Sequence, residues 1–192
     1  MALSKGHSDN ACERGRYTDS VKLPQSIHLV GIGGIGMSAL AQYLLQSGHT
    51  VTGEDRDASP TTDLLEKKGI DVTIGYTEHF DAQLLIYSDA IPESHPTRAY
   101  SSGAGIPQLS YFEALGEVTK KSRTIAVAGT HGKTTTTGML AKILRDAGKE
   151  PTAIVGSIVR DFESNFLAGS PELFVVEACE YRDHLLKLSP KI

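Results

Sequence analysis

Two glycine-rich loops, each set between a short apolar run and an amphipathic stretch, constrain this chain more than any other feature. Residues 31–36 read Gly-Ile-Gly-Gly-Ile-Gly, and residues 129–135 read Gly-Thr-His-Gly-Lys-Thr-Thr. A strand, a glycine turn and a helix in this order form an α/β unit, and the free N–H groups at the helix start attract phosphate. The sequence therefore predicts an α/β protein with two phosphate-binding loops.

The first α/β unit is predicted to span residues 24–121. A buried strand is predicted over 27–30, directly before the first loop, and apolar residues recur at helical spacing after it, at Met37, Leu40, Ala41, Leu44 and Leu45. Ser59-Pro60 and the Ser110-x-x-Glu113 capping box predict two further helix starts. Helical segments alternate with strand-like runs at 50–52, 71–74, 84–87 and 106–109. This alternation predicts a Rossmann-like parallel sheet.

The second unit is predicted to span residues 122–192. It follows a short charged stretch, 120–123, which we interpret as a linker, and it opens with a strand at 124–128. Met139, Leu140, Ile143 and Leu144 indicate a helix, and strands are predicted at 153–155 and 174–176. We interpret this unit as the truncated opening of a larger P-loop ATPase domain. Residues 1–23 lack such patterns and are predicted to be a flexible tail.

Composition excludes several classes of protein. Lys and Arg total 19 against 23 for Asp and Glu, a net charge of −4, which argues against a general nucleic-acid binder. No apolar run approaches the roughly 18 residues of a membrane span, and the polar N-terminus has no secretory pattern. Cys12 and Cys179 lie too far apart in sequence to suggest a disulfide framework or a metal pair. We therefore expect a cytoplasmic protein without nucleic-acid or membrane partners; its oligomeric state is left open.

The first loop fits the pattern G-x-G-x-x-G, whose glycines let the backbone approach a diphosphate. About twenty residues later, Glu54 and Asp55 end the second predicted strand, where an acid can bond a ribose hydroxyl. From the residues alone, three interpretations stay open: a dinucleotide site, a site for another diphosphate-bearing nucleotide, and a tight turn without a ligand.

The second loop ends in Gly132-Lys133-Thr134, as phosphate-binding P-loops do. Its leading glycine is Gly129, and the position where a standard P-loop has that glycine holds Val127, so this loop is shorter. The lysine suits the β and γ phosphate oxygens of ATP, and the threonine hydroxyl suits Mg²⁺. A dehydrogenase has no use for the second loop, and an ordinary ATPase has none for the first. Together they predict one nucleotide-linked substrate and one ATP.

Four motif blocks, at 28–38, 87–92, 128–137 and 177–181, resemble the Mur ligases of peptidoglycan synthesis. The resemblance covers residues 26–192, and the shortened P-loop is that family's own form. It implies a three-domain enzyme in which ATP phosphorylates a muramoyl carboxylate and an amine then attacks the acyl phosphate. This chain would hold the UDP-sugar domain and the start of the ATP-binding domain, a fragment expected to be inactive alone. The blocks fit best the member that joins L-alanine to UDP-N-acetylmuramate.

The resemblance also implies roles for individual residues. The UDP diphosphate would be cradled by Gly33, Gly34, Ile35 and Gly36. Asp55, Ser88 and Asp89 would lie near the uridine or its ribose. ATP would be bound by Gly129, Thr130, His131, Gly132, Lys133, Thr134 and Thr135. Lys133 would act in catalysis, and Thr134 with Glu177 would hold Mg²⁺.

The sequence departs from the family at Gly75-Tyr76, where Gly-His is frequent, so any role of that histidine is lost. Three other hypotheses remain. One is the family member that recycles a murein tripeptide onto UDP-N-acetylmuramate. Another is a nicotinamide-dependent oxidoreductase domain that uses the first loop, and the last is a module that only binds the UDP-sugar.

Overall fold

The computed structural model describes residues 23–77, 79–178 and 186–192. The strands of this part are β1 (Ser26–Val30), β2 (Thr50–Asp55), β3 (Asp71–Ile74), β4 (Leu84–Tyr87), β5 (Gln108–Ser110), β6 (Arg123–Val127), β7 (Pro151–Val159), β8 (Ser164–Leu167) and β9 (Ser170–Glu177). The helices are α1 (Ile35–Gln46), α2 (Pro60–Lys67), α3 (Pro96–Gly103), α4 (Tyr111–Thr119) and α5 (Lys133–Asp146), with a 3₁₀ turn at Arg160–Phe162. Among the described residues, no helix is both long enough and apolar enough to cross a membrane.

The first five strands form one sheet in the order β3-β2-β1-β4-β5, with every neighbouring pair parallel. The chain starts in the middle at β1, moves outward to β3, and then crosses back to β4 on the other side of β1. A crevice forms at the carboxyl ends of such strands where the order reverses, and ligands of α/β proteins bind there. The predicted Rossmann-like parallel sheet is confirmed.

Local sequence accounts for the ends of the helices in this sheet. Ser59 accepts the Thr62 N–H at the start of α2, and Ser110 accepts the Glu113 N–H at the start of α4, each within a complete capping box. Both predicted helix starts are therefore confirmed. Gly48 follows α1 and has a φ of +88°, the left-handed conformation in which glycine ends a helix at no steric cost.

The second sheet has the order β6-β9-β7-β8, and only the β7–β8 pair is antiparallel. Sequence analysis did not predict β8, because its Ser-Asn-Phe-Leu sequence has no alternation of apolar and polar residues. All four residues are nevertheless buried. The two polar ones are buried because other side chains and backbone groups satisfy their hydrogen bonds.

Residues 120–122 connect α4 to β6, so the predicted linker is one residue shorter than expected, and it packs against the protein. Ser122 is buried and donates a 2.6 Å hydrogen bond to the carbonyl of Pro171, and Arg123 is already the first residue of β6. Leu23, placed by the sequence analysis in the tail, is also buried, whereas residues 1–22 lie outside the described part. One apolar core joins both sheets, since it contains residues of α1 together with Ile154, Phe166 and Phe174 of the second.

Helix α5 is confirmed, but only part of its apolar stripe is buried. Met139 and Ile143 are 60% and 59% exposed. The buried positions are the small residues Thr137, Gly138 and Ala141, which let the helix approach the sheet closely. The other two apolar residues that indicated the helix pack against the core of the second sheet, so the apolar spacing marks part of the packing face.

Candidate functional site

A cavity of about 660 Å³ opens at the carboxyl ends of β1, β2 and β4. Its walls include glycines 31, 33 and 34 of the first loop, Asp55 at the end of β2, and Ser88 directly after β4. The structure thus brings the first loop together with two of the three residues expected near a ribose. The third, Asp89, is exposed and does not line this cavity.

Backbone N–H groups of the first loop differ in their availability. The N–H of Gly33 donates to the Asp55 carboxylate at 2.8 Å, and that of Gly34 donates to the carbonyl of Gly31 at 3.2 Å. Ile35 and Gly36 begin α1, where N–H groups have no partner within the helix, and Gly34 supplies no capping side chain. Of the four predicted phosphate residues, Ile35 and Gly36 are therefore the best placed to donate, while Gly33 and Gly34 shape the turn.

Glu54 is only 1% exposed, and its carboxylate links segments of the cavity wall through hydrogen bonds. It accepts hydrogen bonds from the Thr77 N–H and the Thr97 hydroxyl, both at 2.5 Å. Two ring nitrogens face it, Nε2 of His28 at 3.8 Å and Nδ1 of His95 at 3.7 Å. Burial favours a raised pKa of the Glu54 carboxyl, but the His28 ring and the bonds from Thr97 and Thr77 outweigh it, so the pKa is lowered. Glu54 is thus committed within the protein rather than free to bond a ribose.

We expect Glu54→Gln to lower the free energy of unfolding by about 1–3 kcal/mol at neutral pH, because the buried donors lose a charged acceptor and one of them faces an amide NH2 group in place of an oxygen. The Glu54 pKa is lower in the folded protein than in the unfolded chain. Its stabilisation is therefore complete above the unfolded pKa and disappears as pH falls through the folded one. Urea denaturation between pH 7 and pH 3 measures the free energy of unfolding. The difference in this free energy between wild type and variant should become smaller below about pH 4.5.

The control for that series is Glu66→Gln, an exposed position on α2. We expect it to change the free energy of unfolding by less than about 0.5 kcal/mol at any of these pH values. If the difference in the free energy of unfolding between wild type and Glu54→Gln stayed constant down to pH 3, it would contradict the conclusion that ionised Glu54 stabilises this wall.

The second loop joins the end of β6 to the start of α5. Gly132 is the N-cap of α5 and has a φ of +76°, a conformation that favours glycine. The ammonium of Lys133 donates to the carbonyl of Gly129 at 2.6 Å, so this lysine bridges its own loop. Thr130, His131 and Thr135 are exposed at the loop surface. The loop itself thus holds its lysine at the start of α5.

Thr134 and Glu177, the predicted Mg²⁺ residues, are brought together although they lie 43 residues apart. The Thr134 hydroxyl donates to the Glu177 carboxylate at 3.1 Å. The register of β6 and β9 explains this, since Val127 pairs with Glu177 and so sets the carboxylate beside the loop that follows β6. A hydroxyl and a carboxylate are oxygen ligands of the kind that Mg²⁺ prefers, so the pair fits the ion.

Gly156 was missed by sequence analysis, although it holds the other oxygen of the Glu177 carboxylate. Its N–H donates to Oε1 at 2.6 Å. A Cβ atom built on Gly156 would lie 2.7 and 2.9 Å from the two carboxylate oxygens, so only glycine allows this approach. The one available signal was a glycine directly after the strand predicted at 153–155, since glycine in or beside a strand often marks a close approach.

A smaller cavity, of about 220 Å³, lies between the first loop and strands β7 and β9. Ile35 and Gly36 of the first loop line it, and so do Gly156 and Glu177 of the second site. Tyr111 also lines it and packs so closely on Gly36 that a Cβ there would lie 2.8 Å from the ring carbon that bears the hydroxyl. Sequence analysis missed Tyr111 as a site residue. The first loop therefore faces the same small cavity as the Glu177 carboxylate, which in turn bonds to Thr134 after the second loop's lysine.

Two family models match the chain. Residues 26–123 match the Mur ligase family catalytic domain, and residues 127–185 match the Mur ligase middle domain. Residues 179–185, which include the end of the motif block at 177–181, lie outside the described part of the structure.

Curated relatives agree with these matches. The chain is 42% identical over 167 residues to the UDP-N-acetylmuramate–L-alanine ligase of Rubrobacter xylanophilus, covering 86% of this chain and 37% of that protein. It is 43% identical over 179 residues to the ligase of the same name from Agathobacter rectalis, covering 91% and 39%. The chain thus spans less than two fifths of the length of these relatives.

Solved structures show the same fold. The UDP-N-acetylmuramate-alanine ligase of Thermotoga maritima matches with a TM-score of 0.81 at 32% identity, covering 86% of this chain and 39% of that one. A murein peptide ligase from Psychrobacter arcticus matches with a TM-score of 0.79 at 31% identity, covering 87% and 42%. Since the catalytic-domain model alone matches 26–123, about half of the residues, the chain belongs to the Mur ligase family.

Proposed function

We propose that this chain forms the UDP-sugar site and the ATP phosphate site of a ligase that joins L-alanine to UDP-N-acetylmuramate. The observation that carries the proposal is the small cavity that Gly36 and Glu177 line together. A substrate whose diphosphate rests on the first loop can extend through this space and present its carboxylate to ATP on the second. The names of the curated relatives support the choice of substrates.

The first loop binds the UDP-sugar in this proposal. The N–H groups of Ile35 and Gly36, at the positive end of α1, hold the diphosphate, and Gly33 and Gly34 let it approach. The uridine and ribose occupy the larger cavity beside Ser88 and Oδ1 of Asp55, which accepts a long hydrogen bond from the Asp57 N–H at 3.4 Å. Asp89, exposed at its edge, contacts the nucleotide only from outside.

The second loop binds ATP through residues 129–135. Lys133 leaves the Gly129 carbonyl and moves to the γ-phosphoryl group, where it offsets the charge that spreads over the phosphoryl oxygens during transfer. Thr134 and Glu177 hold Mg²⁺, which neutralises phosphate charge when it is bound. A carboxylate oxygen of the muramoyl group attacks the γ-phosphorus and ADP leaves. The alanine amine then attacks the acyl carbon, phosphate leaves, and an amide bond remains.

A second candidate is a murein peptide ligase, because two solved relatives of that kind have TM-scores of 0.75 and 0.79 with this chain. An activity assay that offers both amine acceptors, L-alanine and the tripeptide, to the protein purified from its own cells distinguishes the two candidates. We expect ATP-dependent amide formation with L-alanine and none with L-alanyl-γ-D-glutamyl-meso-diaminopimelate. The opposite preference would assign the chain to the peptide ligases.

Calorimetric titration of this chain with UDP-N-acetylmuramate, and separately with NADH, tests the first loop. We expect saturable binding of the UDP-sugar and no binding of NADH. Binding of NADH alone would favour an oxidoreductase domain. Binding of the UDP-sugar by the chain, combined with no ligase activity in the cellular protein, would leave a binding module only.

We expect Gly156→Ala to weaken Mg²⁺-dependent ATP binding by about 10–100-fold, the usual effect of disturbing a group that orients a metal ligand. The added Cβ would push the Glu177 carboxylate away from Thr134. Calorimetry with ATP, with and without Mg²⁺, measures the effect. The matched control is Gly138→Ala on α5, whose Cβ meets Val159 at an ordinary 3.5 Å. Equal affinities in both variants would contradict the role of Gly156.

A further inference from the structure

Four buried polar side chains lie where the two sheets meet, and we call them the seam network: Ser38 and Gln42 of α1, and Ser164 and Asn165 of β8. None is more than 4% exposed. Gln42 donates to the side-chain oxygen of Asn165 at 3.0 Å and to the Ser38 carbonyl at 3.2 Å, and it accepts from the Ser164 hydroxyl at 3.1 Å. This network ties the helix of the first loop to a strand of the second sheet.

Asn165 is the network residue of the second sheet that reaches the first loop; Ser38, which lies on α1 itself, also donates to the Ile35 carbonyl, at 3.0 Å. The side-chain nitrogen of Asn165 donates to the carbonyl of Ile35 at 2.5 Å and to the hydroxyl of Ser38 at 2.9 Å. Its side-chain oxygen accepts from Gln42. In a dry interior such bonds are retained, because leaving any of these groups unpaired is costly.

The bonds that Asn165 and Ser38 donate to the Ile35 carbonyl fix the orientation of an N–H group. The Ile35 carbonyl and the Gly36 N–H belong to one planar peptide unit, so holding the oxygen in place also sets the direction of the hydrogen. Gly36 is one of the two residues best placed to donate to a diphosphate. The hydrogen bond from Asn165 comes from β8, which pairs with β7, the strand that carries Gly156.

We propose that Asn165 is a positioning residue: from the second sheet it aims the Gly36 N–H at the diphosphate of a UDP-linked substrate. The identity of that ligand rests on the proposed function. Asn165 thereby fixes the position of the first loop relative to Glu177, because β8 pairs with β7 and Gly156 of β7 bonds to Glu177. A substrate held on the first loop is then presented to the second at a fixed spacing.

The test compares Asn165→Leu with Gln42→Leu. Both replace a buried amide of the same network with leucine and both lose three hydrogen bonds, but only the first loses the bond to Ile35. Should Asn165→Leu not fold, Asn165→Ser takes its place, since serine is small and cannot span to Ile35 as asparagine does. Thermal unfolding establishes that each variant is folded and similarly destabilised.

Amide hydrogen exchange provides a readout that needs no ligand. The Ser38 amide bonds to the N-cap carbonyl of Gly34 at 2.8 Å, and the Thr136 amide bonds in the same way to Gly132 at 2.9 Å, so the second is an internal reference. We expect Asn165→Leu to speed exchange at Ser38 roughly tenfold while Thr136 changes less than about twofold. Equal acceleration at Ser38 in Gln42→Leu, or none in Asn165→Leu, would overturn the positioning role.

Calorimetric titration of the same variants with UDP-N-acetylmuramate tests whether Asn165 affects binding of the diphosphate ligand. We expect about tenfold weaker binding in Asn165→Leu and less than about threefold in Gln42→Leu. Faster exchange with unchanged UDP-sugar affinity would overturn the link between Asn165 and the diphosphate. If wild type itself binds no UDP-sugar, the proposed function fails, whereas the exchange result still decides whether Asn165 orients the loop.

Discussion

Replacing Lys133 with methionine is expected to lower kcat for ATP-dependent amide formation by about a thousandfold or more, because the γ-phosphoryl group loses its only loop cation. Methionine preserves the length of the side chain and leaves the loop backbone unchanged. Among the described residues, the one hydrogen bond of the Lys133 ammonium is to the Gly129 carbonyl, so its removal should affect stability little. The loss therefore falls on the chemical step.

Phosphate release by the protein as the cell makes it, with all substrates saturating, measures this loss. Lys142→Met is the control, since Lys142 lies on the same helix and pairs at the surface with Asp146 at 2.8 Å. We expect the control to keep kcat within about twofold, as surface substitutions usually do. A Lys133→Met protein with near-normal kcat would mean that the second loop does not serve phosphoryl transfer.

Replacing Glu177 with glutamine is expected to lower kcat by about a hundredfold or more and to remove most of the benefit of Mg²⁺ for ATP binding. The amide keeps the size of the side chain and one oxygen for the Gly156 N–H. It removes the negative charge that a divalent cation requires. Loss of charge is thus separated from loss of shape.

Titrating Mg²⁺ at fixed ATP measures the second effect, as the concentration of Mg²⁺ that gives half-maximal rate. Glu172→Gln is the matched control, because Glu172 is an exposed carboxylate on the same strand. The control should behave as wild type does. An unchanged Mg²⁺ requirement in Glu177→Gln would remove this residue from the proposed metal site.

Much of the first sheet could be predicted because its signals are local. Glycine loops, capping boxes at Ser59 and Ser110, and helical spacing in α1 each depend on neighbours in sequence. Strand β8 and the full packing face of α5 could not be predicted, because both depend on distant contacts. Buried Asn165 looks like a surface residue until its partners on α1 are known.

In the candidate site, too, features with local sequence signals could be predicted and those that depend on distant contacts could not. The loops were found from sequence, and the pairing of Thr134 with Glu177, implied by resemblance, matches the strand register that the structure adopts. Gly156 and Tyr111 were missed, since their contacts with Glu177 and Gly36 span 21 and 75 residues of chain. Glu54 and Asp55 were both expected at a ribose, yet Glu54 is buried and Asp55 braces the loop. Side-chain roles depended on the folded geometry.

The most direct test of the account follows one oxygen atom. UDP-N-acetylmuramate labelled with ¹⁸O in its carboxylate is incubated with ATP, Mg²⁺, L-alanine and the protein as the cell makes it, and the released phosphate is analysed by mass spectrometry. If the carboxylate attacks the γ-phosphorus, each phosphate released with an amide bond carries one carboxylate oxygen. Unlabelled phosphate, the product of simple ATP hydrolysis by water, would contradict the claim that the two loops act on one substrate.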